Sequence, residues 1–420
     1  MNRCGHTDLT IRAGRLLPMR GPVIEGGWVR IRRGRIVAIG QGKPSGESQL
    51  VDVPDGVILP GLVNAHTHLE FSDVRAPLDP AGGLPEWIGR VIAVRRRRGA
   101  TEGGAERVDA AIAAGLRESA AAGVTAVGEI ATAVPAAGYP AGGPRLRVFR
   151  EALGLSTAAG EPALRATLRD VHRLLAVGCP AGLSPHAPYS VAARLGRSLL
   201  AAGRQVRLPA AMHLAESVAE EELLASGGGA FRDLFESLGV WNRSDPPLLI
   251  PAAEWISLLA RGPRGIVVHG THLDRDPEAL SRLTRHRDRL CVAVCPRTTR
   301  ALSGVLPPVG LFRDAGLRIA IGTDSRASNP DLSVLAECSA LVAANAASPE
   351  EAVRMATVNG AWALGFDRSC GILTPGRSAD LVILRPATRH SDPFAAVVDP
   401  TTRVTATLRG GRVIAGSLAG

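Results

Sequence analysis

The feature that most narrows what this chain can fold into is where its apolar runs stop. The run 57–63 leads to His66 and His68, and stretches 182–186, 210–213, 266–269 and 318–324 end in His186, His213, His269 and Asp324. Apolar stretches at 124–129, 146–151 and 290–294 bring the candidate strands to eight, the number that closes a parallel barrel. Ala- and Leu-rich helical segments at 108–121, 161–177 and 220–224 separate most of them. That alternation argues for α/β architecture with a parallel sheet. In such a barrel the C-terminal strand ends form the rim where catalytic residues collect. A single histidine there is an ordinary structural residue, but packing alone does not produce the coincidence over five strands.

Shorter alternating segments at 8–13, 27–31 and 35–39, separated by Gly-containing turns, need a partner sheet. The same pattern returns at 379–384 and 403–414. The expected fold is a (β/α)8 TIM-type barrel over residues 59–368, with a small β-sandwich domain built from 1–58 and 369–420.

Composition removes several function classes. The formal net charge of +10 invites a nucleic-acid reading, but Lys43 is the single lysine, the arginines run along the whole chain, and aromatics are 3%. Base-stacking side chains are therefore scarce. Four arginines at 95–98 read as the solvated face of a helix. Six cysteines lack a C-x-x-C spacing and read as mostly buried thiols. No apolar run is long enough to span a bilayer, and the first residues lack a signal-peptide core, so a cytoplasmic location without membrane partners is expected.

His66 and His68, at i and i+2, share one side of an extended strand and bring two imidazoles to one point, as a metal ion requires. Taken alone, the pair equally suits an ordinary turn. Further motifs accompany it: Pro-Gly-Leu-Val-Asn-Ala-His-Thr-His at 60–68, Met-His-Leu-Ala-Glu at 212–216, Val-Val-His-Gly-Thr-His at 267–272 and Ile-Gly-Thr-Asp-Ser at 321–325. In this order, over essentially the full length, the chain resembles the amidohydrolase superfamily. The likeness is to the mononuclear branch with methylthioadenosine/adenosylhomocysteine deaminases, triazine hydrolases and aminofutalosine deaminase.

The resemblance implies one divalent metal on His66, His68, His213 and Asp324, zinc first, with iron or manganese able to use the same ligands. Relatives with two metals bridge them by a carboxylated lysine, and no lysine falls inside the barrel here. Glu216 is implied as general acid/base, His269 as the non-ligand histidine that polarises water or substrate, and Asp324 as a proton acceptor as well as a ligand. His272 is expected to be structural, and His6, His172, His286 and His390 exposed or locally bonded.

For the substrate, Glu86 matches the segment that meets ribose hydroxyls in adenosine-type deaminases, and His186 in Pro-His-Ala-Pro-Tyr matches the histidine that contacts the purine. Arg297 is placed to meet a carboxylate with its fork, or to make a rim salt bridge. The implied reaction is release of ammonia from the 6-amino group of an adenine nucleoside derivative. The favoured substrate is aminofutalosine of the menaquinone route. Deamination of methylthioadenosine or adenosylhomocysteine is the alternative, with triazine or guanine hydrolysis behind it. A non-catalytic assembly protein is the competitor from another class, and dimers are common among such relatives.

Overall fold

Strands in the middle of this chain are apolar on both sides because both sides are covered. The computed structural model describes residues 8–46, 48–244 and 246–418, so Cys4 and His6 lie outside the described residues. Eight parallel strands pair in sequence order: β1 (Leu62–Thr67), β2 (Val124–Ala131), β3 (Arg145–Ala152), β4 (Ala181–Pro185), β5 (Ala210–Leu214), β6 (Gly265–His269), β7 (Leu290–Val294) and β8 (Arg318–Ile321). A parallel bridge between Thr67 and Asp324 joins the last strand to the first.

Successive strand residues face opposite sides. One set, including Ala126, Phe149, Ala211, Val268 and Ala320, fills the interior with Ala361 and Leu364. Their neighbours Val127, Val148, Met212, Val267 and Ile319 pack under the surrounding helices. Stepping by two along the inner set reaches the rim: Phe149 leads to Glu151, Ala211 to His213, and Ala320 through Gly322 to Asp324. Helices Gly104–Ala121, Thr157–Ala176 and Val218–Ser226 lie where the sequence predicts them, with ends shifted by a few residues. Ser156 and Ser217 cap the last two by accepting from Ala159 N and Glu220 N.

Strands from both termini join in one sheet of eight, in which Leu381–Arg385 pairs antiparallel with Gln49–Pro60 and the latter runs parallel to Leu9–Leu16. Alternation along Leu381–Arg385 divides the packing. Leu381 and Ile383 enter the sheet's own core with Ile11, Ile58 and Leu408. Val382 and Leu384 join the core around the barrel with Leu17 and Leu59.

The apolar run before His66 is two strands rather than one. Val57, Ile58, Leu59 and Pro60 belong to the terminal sheet, and β1 begins at Leu62. Gly61 makes the crossing because a Cβ there would lie 2.2 Å from the Thr125 side chain.

Candidate active site

Four side chains from three places in the barrel meet at one point. His66 and His68 leave the end of β1 with ring centroids 5.1 Å apart, His213 comes from β5, and Asp324 lies three residues past β8. Ligand atoms of the four lie within 4.8 Å of one another, and all four residues are buried. Asp324 Oδ1 stands 3.4 Å from His66 Nε2 and 3.6 Å from His68 Nε2, while His68 Nε2 is 3.3 Å from His213 Nε2. Asp324 has a left-handed backbone, φ 56°, a strained state for a non-glycine residue. Its carbonyl accepts from His68 N (2.9 Å) and Thr67 Oγ1 (2.6 Å), and Ser328 Oγ donates to Oδ2. Asn64 ties the two strand ends further by donating to Thr323 Oγ1 at 2.7 Å and accepting from Thr323 N at 3.2 Å.

This donor set fits a divalent cation. Burial, reinforced by neighbouring histidines, pushes His68 and His213 well below the usual imidazole range, so neutral rings are favoured. Burial alone would raise the Asp324 carboxyl, but the facing His66, His68 and His269 rings outweigh it and hold the group well below its ordinary value. The His213 Nδ1–H points at the His186 carbonyl (2.9 Å), which leaves its Nε2 lone pair facing the cluster. Among the described residues, neither ring nitrogen of His66 has a hydrogen-bond partner. Three imidazoles and a carboxylate suit zinc, and also iron or manganese.

A pair of side chains, Glu216 and His269, stands beside that cluster of four. Glu216, two residues past β5, is 3.3 Å from His269 Nε2 through Oε1 and receives Tyr189 OH at 3.4 Å on Oε2. Burial, then the charges of Asp324 and Glu220, push Glu216 well above the usual carboxylate range. That shift favours the protonated form of Glu216. His269 follows the inward Val268, and its left-handed backbone, φ 66°, breaks the alternation that would turn its ring outward. Burial lowers the imidazole to about 3, so the ring is neutral. The Glu220 carboxylate accepts from Ala215 N and Glu216 N, both at 2.9 Å, and fixes the turn that carries Glu216.

The residues expected to bind substrate separate into three cases. His186 is brought to the cluster, its ring 4.8 Å from that of His213 and its Nδ1 2.5 Å from Ser190 Oγ. Glu86 is not: it lies on the exposed side of helix Gly83–Gly99, paired with Arg90 at 3.3 Å, while Leu84, Trp87 and Val91 form the buried side. Arg297 also stands apart from the expected role. Its Nε meets Glu337 at 2.7 Å and its Nη atoms meet both oxygens of Asp331 at 3.1 and 2.5 Å, so the fork is filled by the protein's own carboxylates.

The four-arginine run is not wholly a solvated face. Arg96 and Arg97 are exposed, but Arg95 and Arg98, one helical turn apart, point inward to Glu70 and Asp73. His390 is locally bonded to Asp399 at 2.8 Å, and His272 N donates to the Ala215 carbonyl. Glu151 and Tyr189 also stand near the cluster, and their sequence signals are slight: the stretch 146–151 ends in a glutamate and Tyr189 closes the Pro-His-Ala-Pro-Tyr element. Cys291, Cys295, Cys338 and Cys370 are buried free thiols. Among the described residues, no helix is long and apolar enough to cross a membrane.

The same architecture occurs in solved structures. The chain superposes on Helicobacter pylori aminofutalosine deaminase in complex with methylthio-coformycin at TM-score 0.81 and 25% identity, covering 96% of this chain and 99% of that one. A Xanthomonas campestris adenosine deaminase shares the fold at TM-score 0.77 and 24% identity, over 97% of this chain and 92% of that one. In sequence, a Moorella thermoacetica 5-methylthioadenosine/S-adenosylhomocysteine deaminase is 29% identical over 405 residues, 90% of this chain and 86% of the relative. The sequence pattern of the amidohydrolase family matches residues 57–414. With that match across both the barrel and the returning terminal strands, the chain belongs to the amidohydrolase family and is a hydrolase acting on carbon–nitrogen bonds.

Proposed function

We propose that this protein is a metal-dependent hydrolytic deaminase of adenine nucleoside derivatives, with aminofutalosine as the favoured substrate. The observation that carries the reaction is the Glu216–His269 pair, 3.3 Å apart, beside the cluster of His66, His68, His213 and Asp324. His66, His68, His213 and Asp324 would hold a divalent ion, which would lower the pKa of a water towards about 7. Attack at C6 of the purine leaves charge on N1, and Glu216, whose burial favours the protonated form, gives that nitrogen its proton. His269 orients the attacking water, and Asp324 with Glu216 carries the water's proton to the leaving amine. The products are ammonia and the inosine-type compound. His186 lines the purine side.

Support for aminofutalosine comes from the likeness to the Helicobacter pylori enzyme. Arg297 no longer contributes to it. The second reading is a 5-methylthioadenosine/S-adenosylhomocysteine deaminase, favoured by relatives of that name such as the Moorella protein.

The test is ammonia release by the zinc-loaded protein with aminofutalosine, methylthioadenosine and adenosine side by side. The highest kcat/KM is expected for aminofutalosine, and a higher value for methylthioadenosine selects the second reading. Folded protein that takes up zinc yet releases no ammonia from any adenine nucleoside would sink the deaminase reading. Folded protein that binds no metal would favour the assembly role.

A further inference from the structure

Just past the ends of β1 and β2 and at the end of β3 stand Glu70, Thr132 and Glu151, the first two part-buried and Glu151 fully buried, and a single guanidinium meets all three. Arg95 Nη2 is 2.8 Å from Glu70 Oε1, 2.7 Å from Thr132 Oγ1 and 3.7 Å from Glu151 Oε2. Thr132 Oγ1 in turn lies 2.8 Å from Glu70 and 3.1 Å from Glu151. Arg95 comes from helix Gly83–Gly99, outside the barrel strands, and also covers the Phe71 ring at 5.2 Å. Among the described residues, no other guanidinium pairs with the side chains of Glu70 or Glu151.

Each carboxylate leads to a different ligand. Glu70 is two residues after His68 in the short turn Leu69–Phe71, whose Leu69 N donates to Glu129 at 2.9 Å and whose Glu70 carbonyl accepts from Arg98 at 2.9 Å. Glu151 is buried, and its Oε1, without a hydrogen-bond partner among the described residues, stands 3.9 Å from His186 Nε2. The His186 carbonyl then accepts from both the backbone N and the Nδ1 of His213, each at 2.9 Å. His68 and His213 are the two ligands whose Nε2 atoms face each other at 3.3 Å. Without the Arg95 charge, two carboxylates sharing Thr132 would repel, and both lines of support would loosen together.

We propose that Arg95 is a positioning residue for the metal site, bracing His68 through Glu70 and His213 through Glu151 and His186. The inference rests on the metal reading above and not on the substrate, because zinc affinity is read with no nucleoside present. Arg95→Met keeps much of the side-chain volume and removes the charge. In competition with a chelator it should bind Zn2+ about 10–100-fold more weakly than the wild type, the range found for residues that support ligands from behind. Glu70→Gln added to Arg95→Met removes the uncompensated carboxylate and should restore part of that affinity. Should Arg95→Met fail to fold, Arg95→Lys, which keeps the charge without the fork, is expected to lose affinity by a smaller factor. Wild-type affinity in the folded Met variant, no recovery in the double variant, or wild-type affinity in the Lys variant where that one is needed, overturns the proposal. A wild-type protein that does not bind Zn2+ overturns the metal reading with it.

Discussion

Arg297 and Glu216 show how much a side chain's partners decide. Arg297 has its Nε on Glu337, whose side chain is fully buried, and its remaining fork on Asp331. Arg297→Ala would strand Glu337 with Asn329 and the residue 297 backbone as its remaining partners. Breaking a buried pair from one side costs about 3–5 kcal/mol. Denaturant titration should therefore show a clear loss of stability, while the ratio of kcat/KM for aminofutalosine over methylthioadenosine stays as it was. A changed ratio would return Arg297 to the substrate. Glu216→Gln is the converse case. It preserves shape beside His269 and Tyr189 but has no proton to give, so kcat should fall by about 10²–10⁴ with metal content unchanged. Both residues sit near strand ends in the sequence, and that position alone does not tell a filled fork from a free one. What separates them is Asp331 and Glu337, more than thirty residues downstream of Arg297.

Elements carry the next level of control, clearest where β5 turns into helix Val218–Ser226. Ser217 caps the helix, and Glu220 in its first turn reaches back to the backbone N–H groups of Ala215 and Glu216. Burial pushes the Glu220 carboxyl up to about 7 from 4.5, against the pull of those two N–H donors. Because the folded value is the higher one, its contribution to stability is fully present below pH 4.5, falls as pH rises towards about 7, and is level above that. Glu216 acts in the same direction, so the difference between wild type and Glu220→Gln isolates this group. The variant should lose part of the decline in urea midpoint across that window, and parallel curves would show that Glu220 is not its source. At this scale the strands were legible, since period-two alternation carries His213 and Asp324 to the rim from Ala211 and Ala320. The inward turn of Arg95 and Arg98 was not, because four consecutive arginines hide which two fall on the buried side. The left-handed backbone at His269 was equally silent, as no glycine marks it.

Over the whole molecule, the terminal sheet is part of the support for the site. Its strand Gln49–Pro60 ends one residue before β1 begins, and β1 carries His66. Gly61 N donates to the Asp380 carbonyl at 3.0 Å, Leu62 N to the Gly123 carbonyl at 3.0 Å, and Arg145 pairs with Asp380 at 3.1 Å, so front strands, back strands and barrel share one junction. The matching patterns at the two ends of the sequence made the common sheet readable. The crossing inside the run 57–63 was not, because the run is apolar and covered on both sides of Gly61. If the junction sets where β1 starts, a single methyl group there should be felt at both ends of it. Gly61→Ala places a Cβ against Thr125 and should destabilise the protein by about 1–3 kcal/mol, the usual cost of overpacking. It should also weaken zinc binding, since β1 can relieve the clash only by shifting the strand that ends at His66 and His68. Gly99→Ala is the matched control, at the end of helix Gly83–Gly99 with nothing within 4 Å of the added atom, and should leave stability and zinc affinity intact. Equal stability of the two variants in urea would mean that the close contact at Gly61 does not fix the register of β1 and does not support the metal site.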